Sequence, residues 1–249
     1  MEPVPAWQSF IVAGLIAIIA WLAAHLAWRR PATTRPGWPR RQYTIGPLRL
    51  ALACALAFAL LTTALLASPL IGVFDVYVRA AVRALYDDAF VRACVFITAF
   101  GDTATLVAIT GISAAWLWVG GRRQTMLGLL VSALGSQLTT YALKYAIDRD
   151  RPVFETFAHA ATPSFPSAHA TGAVAVYGFV VYAIAGRLAG RLRFECLFWG
   201  CSCIALLAAS RIIIGVHYLS DVIAGLLVGL FWLLIGRAAE CHYSSRSGC

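Results

Sequence analysis

The chain has 249 residues, of which 61% are hydrophobic and only 12% charged, and its formal net charge is +9. That little polar surface cannot coat a soluble globule of this length, so the composition excludes a water-soluble domain and predicts a protein of the bilayer. The positive charge does not point to nucleic acid, because the arginines sit in short connections between apolar runs and no base-reading or base-stacking motif accompanies them.

The first apolar run, 10–28, is long enough to pass the roughly 18 uncharged residues that cross about 30 Å of hydrocarbon. Its leader, Met1-Glu2-Pro3-Val4-Pro5, lacks a basic stretch, and Arg29 and Arg30 follow the run, which predicts an uncleaved anchor rather than a signal peptide. His25, inside this run, reads as a hydrogen-bonded packing residue. The connection 29–49 is rich in arginine and proline and reads as a cytoplasmic topology signal. A second crossing is expected over 50–73. Beyond it, Phe74, Val78, Val82 and Leu85 recur every three or four residues while Arg79, Arg83 and Asp87 fall on another face, the pattern of an amphipathic helix on the membrane surface. Further crossings are expected over 103–119, 126–143, 169–184, 194–214 and 217–235, for seven in all. Each run is continuous rather than alternating, so helices are the expected element.

If the crossings alternate, thirteen basic residues fall on one side and seven (Arg79, Arg83, Arg92, Lys144, Arg149, Arg151 and Arg211) on the other. The positive-inside rule makes the thirteen-residue side cytoplasmic and turns 74–102, 144–168 and 211–217 outward. No metal spacing is visible among the seven cysteines. Cys54, Cys196, Cys201 and Cys203 read as small apolar packers in or beside membrane helices.

Three short segments that return to this outer surface carry chemistry. The first is KYAIDRDRP, 144–152, headed by Lys144, the one lysine beside nineteen arginines. Pro152 disfavours helix at Arg151, so Lys144 and Arg151 stand where helix gives way to loop, able to bracket a multiply charged anion. The second, PSAH at 166–169, has Pro166 and Ser167 as helix-start residues, with His169 at the mouth of a first turn whose N–H groups suit an anion. The third is SRIIIGVHYLSD, 210–221. Gly215 can turn the chain, and the i, i+4 spacing of His217 and Asp221 lets the carboxylate fix the imidazole tautomer. An acid such as Asp221 inside an apolar helix is costly and points to a paired, functional role. Together these segments suit phosphoryl transfer through a phosphohistidine, with cations in place of a metal. His159, Asp148, Asp150 and Glu155 in the outer loop read as a solvated face.

These strings resemble the three signature motifs KxxxxxxRP, PSGH and SRxxxxxHxxxD of the type 2 phosphatidic acid phosphatase family, in the same order. The resemblance implies an all-α polytopic membrane bundle with a six-helix phosphatase core and one extra N-terminal transmembrane helix. It divides the chain into that helix and its basic loop (1–49), the phosphatase domain (50–236) and a cytoplasmic tail (237–249). It implies His217 as nucleophile, Asp221 as its orienting partner and His169 as general acid, with Lys144, Arg151, Ser167, Ala168 and Arg211 on the phosphate and no metal or other cofactor. Ala168 departs from the family's glycine, which matters only where the backbone needs a positive φ. The expected function is an integral membrane lipid phosphatase at the outer face of a bacterial inner membrane, with membrane lipids and a lipid phosphate as its partners. Undecaprenyl diphosphate stands ahead of phosphatidylglycerophosphate, phosphatidate and lipid A. The rival readings are a phosphotransferase to a second lipid or sugar, a vanadate haloperoxidase and a non-catalytic scaffold.

Overall fold

Apolar runs too long for a soluble core become helices that satisfy their own backbone hydrogen bonds, and helices are what the computed structural model contains across residues 40–85, 87–152 and 162–246, the residues it describes. In chain order they are α1 (Arg40–Ala67), α2 (Pro69–Leu85), α3 (Asp88–Thr98), a 3₁₀ turn (Ala99–Gly101), α4 (Thr103–Val119), α5 (Arg123–Ile147), α6 (Ala168–Ala185), α7 (Gly190–Ile213) and α8 (Leu219–Arg246). The expected crossing over 10–28, with His25, lies outside the described residues, as do His159 and Glu155. Among the described residues five helices are long and apolar enough to span a bilayer. The pair 88–101 and 103–119, bent by 46°, makes a sixth if it counts as one span.

The second crossing ends earlier than the hydropathy suggested. The apolar run continues to Val73, but the helix stops at Ala67, and Ser68 accepts a hydrogen bond from the N–H of Leu70 at 3.2 Å. Pro69 then opens α2, a position where its missing N–H costs nothing. The surface helix expected over 74–88 is therefore longer, reaching back to Pro69. Its Leu70, Phe74 and Tyr77 stay exposed, while Asp75 turns inward and is only 1% exposed.

The centre of the molecule is α5, α6 and α8. On α5 the residues Ser132, Ser136, Thr140 and Lys144, spaced four apart, form one fully buried face. Their small size lets the neighbouring backbones approach, and Ser132 donates to the Ala175 carbonyl of α6 at 2.8 Å. At the end of the bundle away from Lys144, Thr125 of α5 and Tyr182 of α6 donate to the two carboxylate oxygens of Glu240 on α8 at 2.7 and 3.1 Å. The backbones of α8 and α5 approach closely where they cross. A Cβ at Gly236 would stand 2.3 Å from the Gly128 carbonyl oxygen and 3.0 Å from the Phe179 ring. Gly236→Ala is thus expected to lower stability by about 1–3 kcal/mol through overpacking. The thermal midpoint of the purified variant in detergent measures this, and an unchanged midpoint would show that the two helices have room to part.

Helix polarity brings the functional segments to one end. The C-terminus of α5, the N-terminus of α6, the C-terminus of α7 and the N-terminus of α8 all lie there, with the 3₁₀ turn and the middle of α2 beside them.

Candidate active site

The helix α5 ends one turn past Lys144. Asp148 takes a left-handed conformation, φ 48°, and its N–H closes on the Lys144 carbonyl at 2.9 Å. Aspartate tolerates that region better than most side chains. Asp148 is therefore the helix stop as well as an exposed residue of the outer loop, and the helix ends before Pro152 can interrupt it. Lys144 itself is 1% exposed. Its ammonium donates to the carbonyls of Pro163 and Ser164, at 3.5 Å for the latter. Ser164 in turn donates through its hydroxyl to the Arg149 and Asp150 carbonyls at 3.1 and 2.9 Å. The lone lysine therefore ties the first motif to the strand of backbone that leads into the second.

Arg151 points at the third motif. Its Nη1 donates to the Val216 carbonyl at 3.0 Å and lies 3.5 Å from His217 Nε2, while its Nε donates to the Thr162 carbonyl at 2.7 Å. Arg211, buried at the end of α7, donates to the hydroxyl of Thr98 on α3. Gly215 takes φ 79° and turns the chain toward His217.

His217 was expected on a helical face with Asp221. It instead stands just before α8, which begins at Leu219. The pairing survives the change: His217 Nδ1 lies 3.3 Å from Asp221 Oδ2, which also accepts the Tyr218 N–H at 2.9 Å. With a proton on Nδ1, Nε2 carries the lone pair toward Arg151. Burial holds the His217 imidazole well below the ordinary histidine range, and Arg211, Arg151, Lys144 and His169 add to the effect in that order. Three cations and a second histidine thus act on this one ring.

The second motif closes the site. Ser167 is the N-cap residue of α6, yet its hydroxyl makes no capping bond and is buried without a partner. Its N–H is not open to an anion, since it donates to the Asp221 carbonyl at 3.0 Å. Ala168 is the first residue of α6, with helical backbone, so its β-carbon causes no strain where the family has glycine. His169 Nε2 pairs with Asp102 Oδ1 at 2.9 Å. Gly101 lies against the same ring: a Cβ there would stand 2.7 Å from His169 Cδ2.

All eight residues singled out in the sequence therefore lie in or beside one cluster. Four more were not. Asp102 and Thr98 hold His169 and Arg211, while Asp75 and Arg149 meet behind Asp221. Arg149 was read only as one of several outward basic residues. A buried acid in an apolar run, the signal that drew attention to Asp221, applies equally to Asp75. Arg83 and Asp87 are both exposed, as expected of a solvated face: Arg83 pairs with Asp88 at 3.2 Å, and Asp87 also caps α3 through the Phe90 N–H at 2.8 Å.

Residues 125–239 match the model of the PAP2 superfamily. Over 146 residues the chain is 30% identical to phosphatidylglycerophosphatase B of Bacillus subtilis, covering 56% of this chain and 71% of that protein. It is 33% identical over 163 residues to lipid A 1-phosphatase of Rhizobium etli, covering 56% and 66%. It is 29% identical over 145 residues to the Escherichia coli K12 protein named "Putative undecaprenyl-diphosphatase YbjG", covering 53% and 66%. The chain thus spans about two thirds of the length of these relatives. Its fold is similar to the crystal structure of a transmembrane PAP2-type phosphatidylglycerolphosphate phosphatase from Bacillus subtilis, with a TM-score of 0.71, 22% identity and coverage of 79% of this chain and 96% of that one.

Proposed function

Since the chain belongs to the PAP2 superfamily of membrane lipid phosphatases, we propose that it removes a phosphate from an isoprenoid diphosphate, undecaprenyl diphosphate, at the outer face of a bacterial inner membrane. The observation that carries this reading is the meeting of His217, oriented by Asp221, with Lys144, Arg151, Arg211 and His169 at one end of the bundle.

In this mechanism His217 Nε2 attacks phosphorus and forms the P–N bond as the bond to the leaving oxygen breaks. His169 gives that oxygen its proton. Arg151, Arg211 and the Ser167 hydroxyl bear on the equatorial oxygens, where charge concentrates in the transition state. A water then attacks phosphorus, loses its proton to His169, and returns His217 as a free imidazole with inorganic phosphate. Asp221 keeps Nδ1 protonated throughout, so the lone pair stays on the attacking nitrogen.

The outward orientation is supported by the arginine distribution, thirteen basic residues against seven. The preference for a diphosphate is supported by the likeness to the relative named "Putative undecaprenyl-diphosphatase YbjG".

The test is a panel of lipid phosphates presented in detergent micelles to the purified protein with a chelator present. Release of phosphate from undecaprenyl diphosphate at the highest kcat/KM supports the reading. A higher kcat/KM on phosphatidylglycerophosphate or on lipid A 1-phosphate would replace the substrate. Transfer of labelled phosphate to an added lipid acceptor, rather than to water, would replace the reaction class with that of a phosphotransferase.

A further inference from the structure

Behind the nucleophile the contacts continue past Asp221. Its second oxygen, Oδ1, accepts Arg149 Nη1 at 2.6 Å, and the other arm of the same guanidinium, Nη2, donates to Asp75 Oδ2 at 2.9 Å. Asp75 belongs to α2, outside the three motifs, 74 residues before Arg149 in the chain. Asp75 also accepts the Ser220 N–H at 3.0 Å and the Ser220 hydroxyl, and Arg149 Nη1 donates to that hydroxyl at 2.7 Å. The Tyr218 ring covers the guanidinium at 4.5 Å. Asp75 and Asp221 are 1% and 0% exposed, and two buried carboxylates around one cation are costly to keep unless the arrangement does something an apolar packing could not.

We propose that Asp75 and Arg149 are a positioning pair for the nucleophile: gripped by Asp75, Arg149 fixes the Asp221 carboxylate so that its other oxygen meets His217 Nδ1. The surface helix α2 then belongs to the catalytic apparatus. A carboxylate held on one side only can rotate about its Cβ–Cγ bond. Held on both oxygens, it presents a single acceptor to the imidazole. Arginine suits the place because its planar fork addresses two carboxylates at once, which an ammonium cannot do with fixed geometry.

The charges facing this pair and His217 are Asp75 from α2, Lys144 from α5, Arg149 and Arg151 from the loop after it, His169 from α6, Arg211 from α7 and Asp221 from α8. Burial alone would lower the affinity of Arg149 for its proton, but Asp221 and Asp75 outweigh it and hold the guanidinium above its ordinary value. Arg149→Gln removes a cation near His217 and frees the Asp221 carboxylate to turn away from Nδ1. Loss of the cation favours the protonated ring, so the His217 titration moves up in pH, while the neutral ring no longer has a fixed tautomer. Asp75→Asn leaves Arg149 to Asp221 alone, so the titration does not move up, although the carboxylate is less well aimed.

The inference rests on the phosphohistidine reading only for its kinetic arm, and the experiment has a second arm that does not. In protein labelled with ¹⁵N-histidine in micelles, Arg149→Gln is expected to shift the His217 titration toward the ordinary histidine range and to lose the Nδ1–H tautomer. Asp75→Asn is expected to show no upward shift. On undecaprenyl diphosphate both variants, and the charge-conserving Arg149→Lys, are expected to lose about 10- to 100-fold in kcat with KM within about twofold, the scale of losing an outer-shell orienting contact. Thermal midpoints separate this from unfolding. A His217 titration and tautomer unchanged in Arg149→Gln, with only the midpoint lowered, would reduce the pair to a structural pin. A wild-type protein inactive on every lipid phosphate would defeat the phosphatase reading and leave the NMR result standing.

Discussion

His217→Ala is expected to reduce phosphate release by roughly 10⁴-fold or more, because the variant has no atom to form the P–N bond. Rapid acid-free quenching of the wild-type protein with ³²P-labelled substrate should capture label on His217, and the alanine variant should capture none. Full turnover in His217→Ala would eliminate the covalent route and leave direct attack by water. The same residue sets the pH profile. Burial and the surrounding cations depress its proton affinity, so the ring is unprotonated and nucleophilic at neutral pH. The sign follows directly. A free histidine would lose nucleophilicity as pH falls through about 6.5, whereas here kcat/KM should hold through that region and fall only at distinctly lower pH. An acid limb at or above 6.5 attributable to His217 would mean that the cations do not surround the ring in the working enzyme.

The second large effect is expected at Lys144. Lys144→Arg should lower kcat/KM by about 10²-fold, or about 2.7 kcal/mol of transition-state stabilisation. The substitution keeps the charge, so the loss measures shape. The ammonium sits 1% exposed between the Pro163 and Ser164 carbonyls, and a guanidinium in that space must displace backbone that leads within five residues to His169. The control is Arg191→Lys, whose side chain is 90% exposed on α7 and should leave activity unchanged. Near wild-type turnover in Lys144→Arg would make the single lysine an accident of composition.

The parts of the site that sequence made legible share a physical reason. Lys144, Arg151, His169, Arg211, His217 and Asp221 are charged or titratable groups set against apolar runs, at spacings that stand out in the local sequence. Arg149 lies inside the first of these strings but reads as one more basic residue, because nothing local shows that it faces inward across 74 positions to Asp75. Asp102 and Thr98 have no motif of their own. Their roles arise from the packing of the 3₁₀ turn against α6 and α7, a relation between segments 67 and 113 residues apart that periodicity does not encode. The break between α1 and α2 was missed for the opposite reason. Hydropathy sums over Ser68 as one weakly polar residue, while the helix end depends on one hydroxyl–amide bond and the proline after it.

A proton carrier has to do more than hold a proton: it must meet its donor and its acceptor in turn, and that requires clearance. In the mechanism proposed for His169, Gly101 beside the ring supplies it, since a methyl there would press on Cδ2 from 2.7 Å. Gly101→Ala would therefore act like friction on a bearing, slowing both the protonation of the departing oxygen and the later deprotonation of the attacking water. Natural lipid phosphates leave as poor alcohols or phosphates and should feel both. An aryl phosphate such as p-nitrophenyl phosphate leaves as a stable anion and should feel only the second, so lipid-phosphate turnover should fall more than aryl-phosphate turnover.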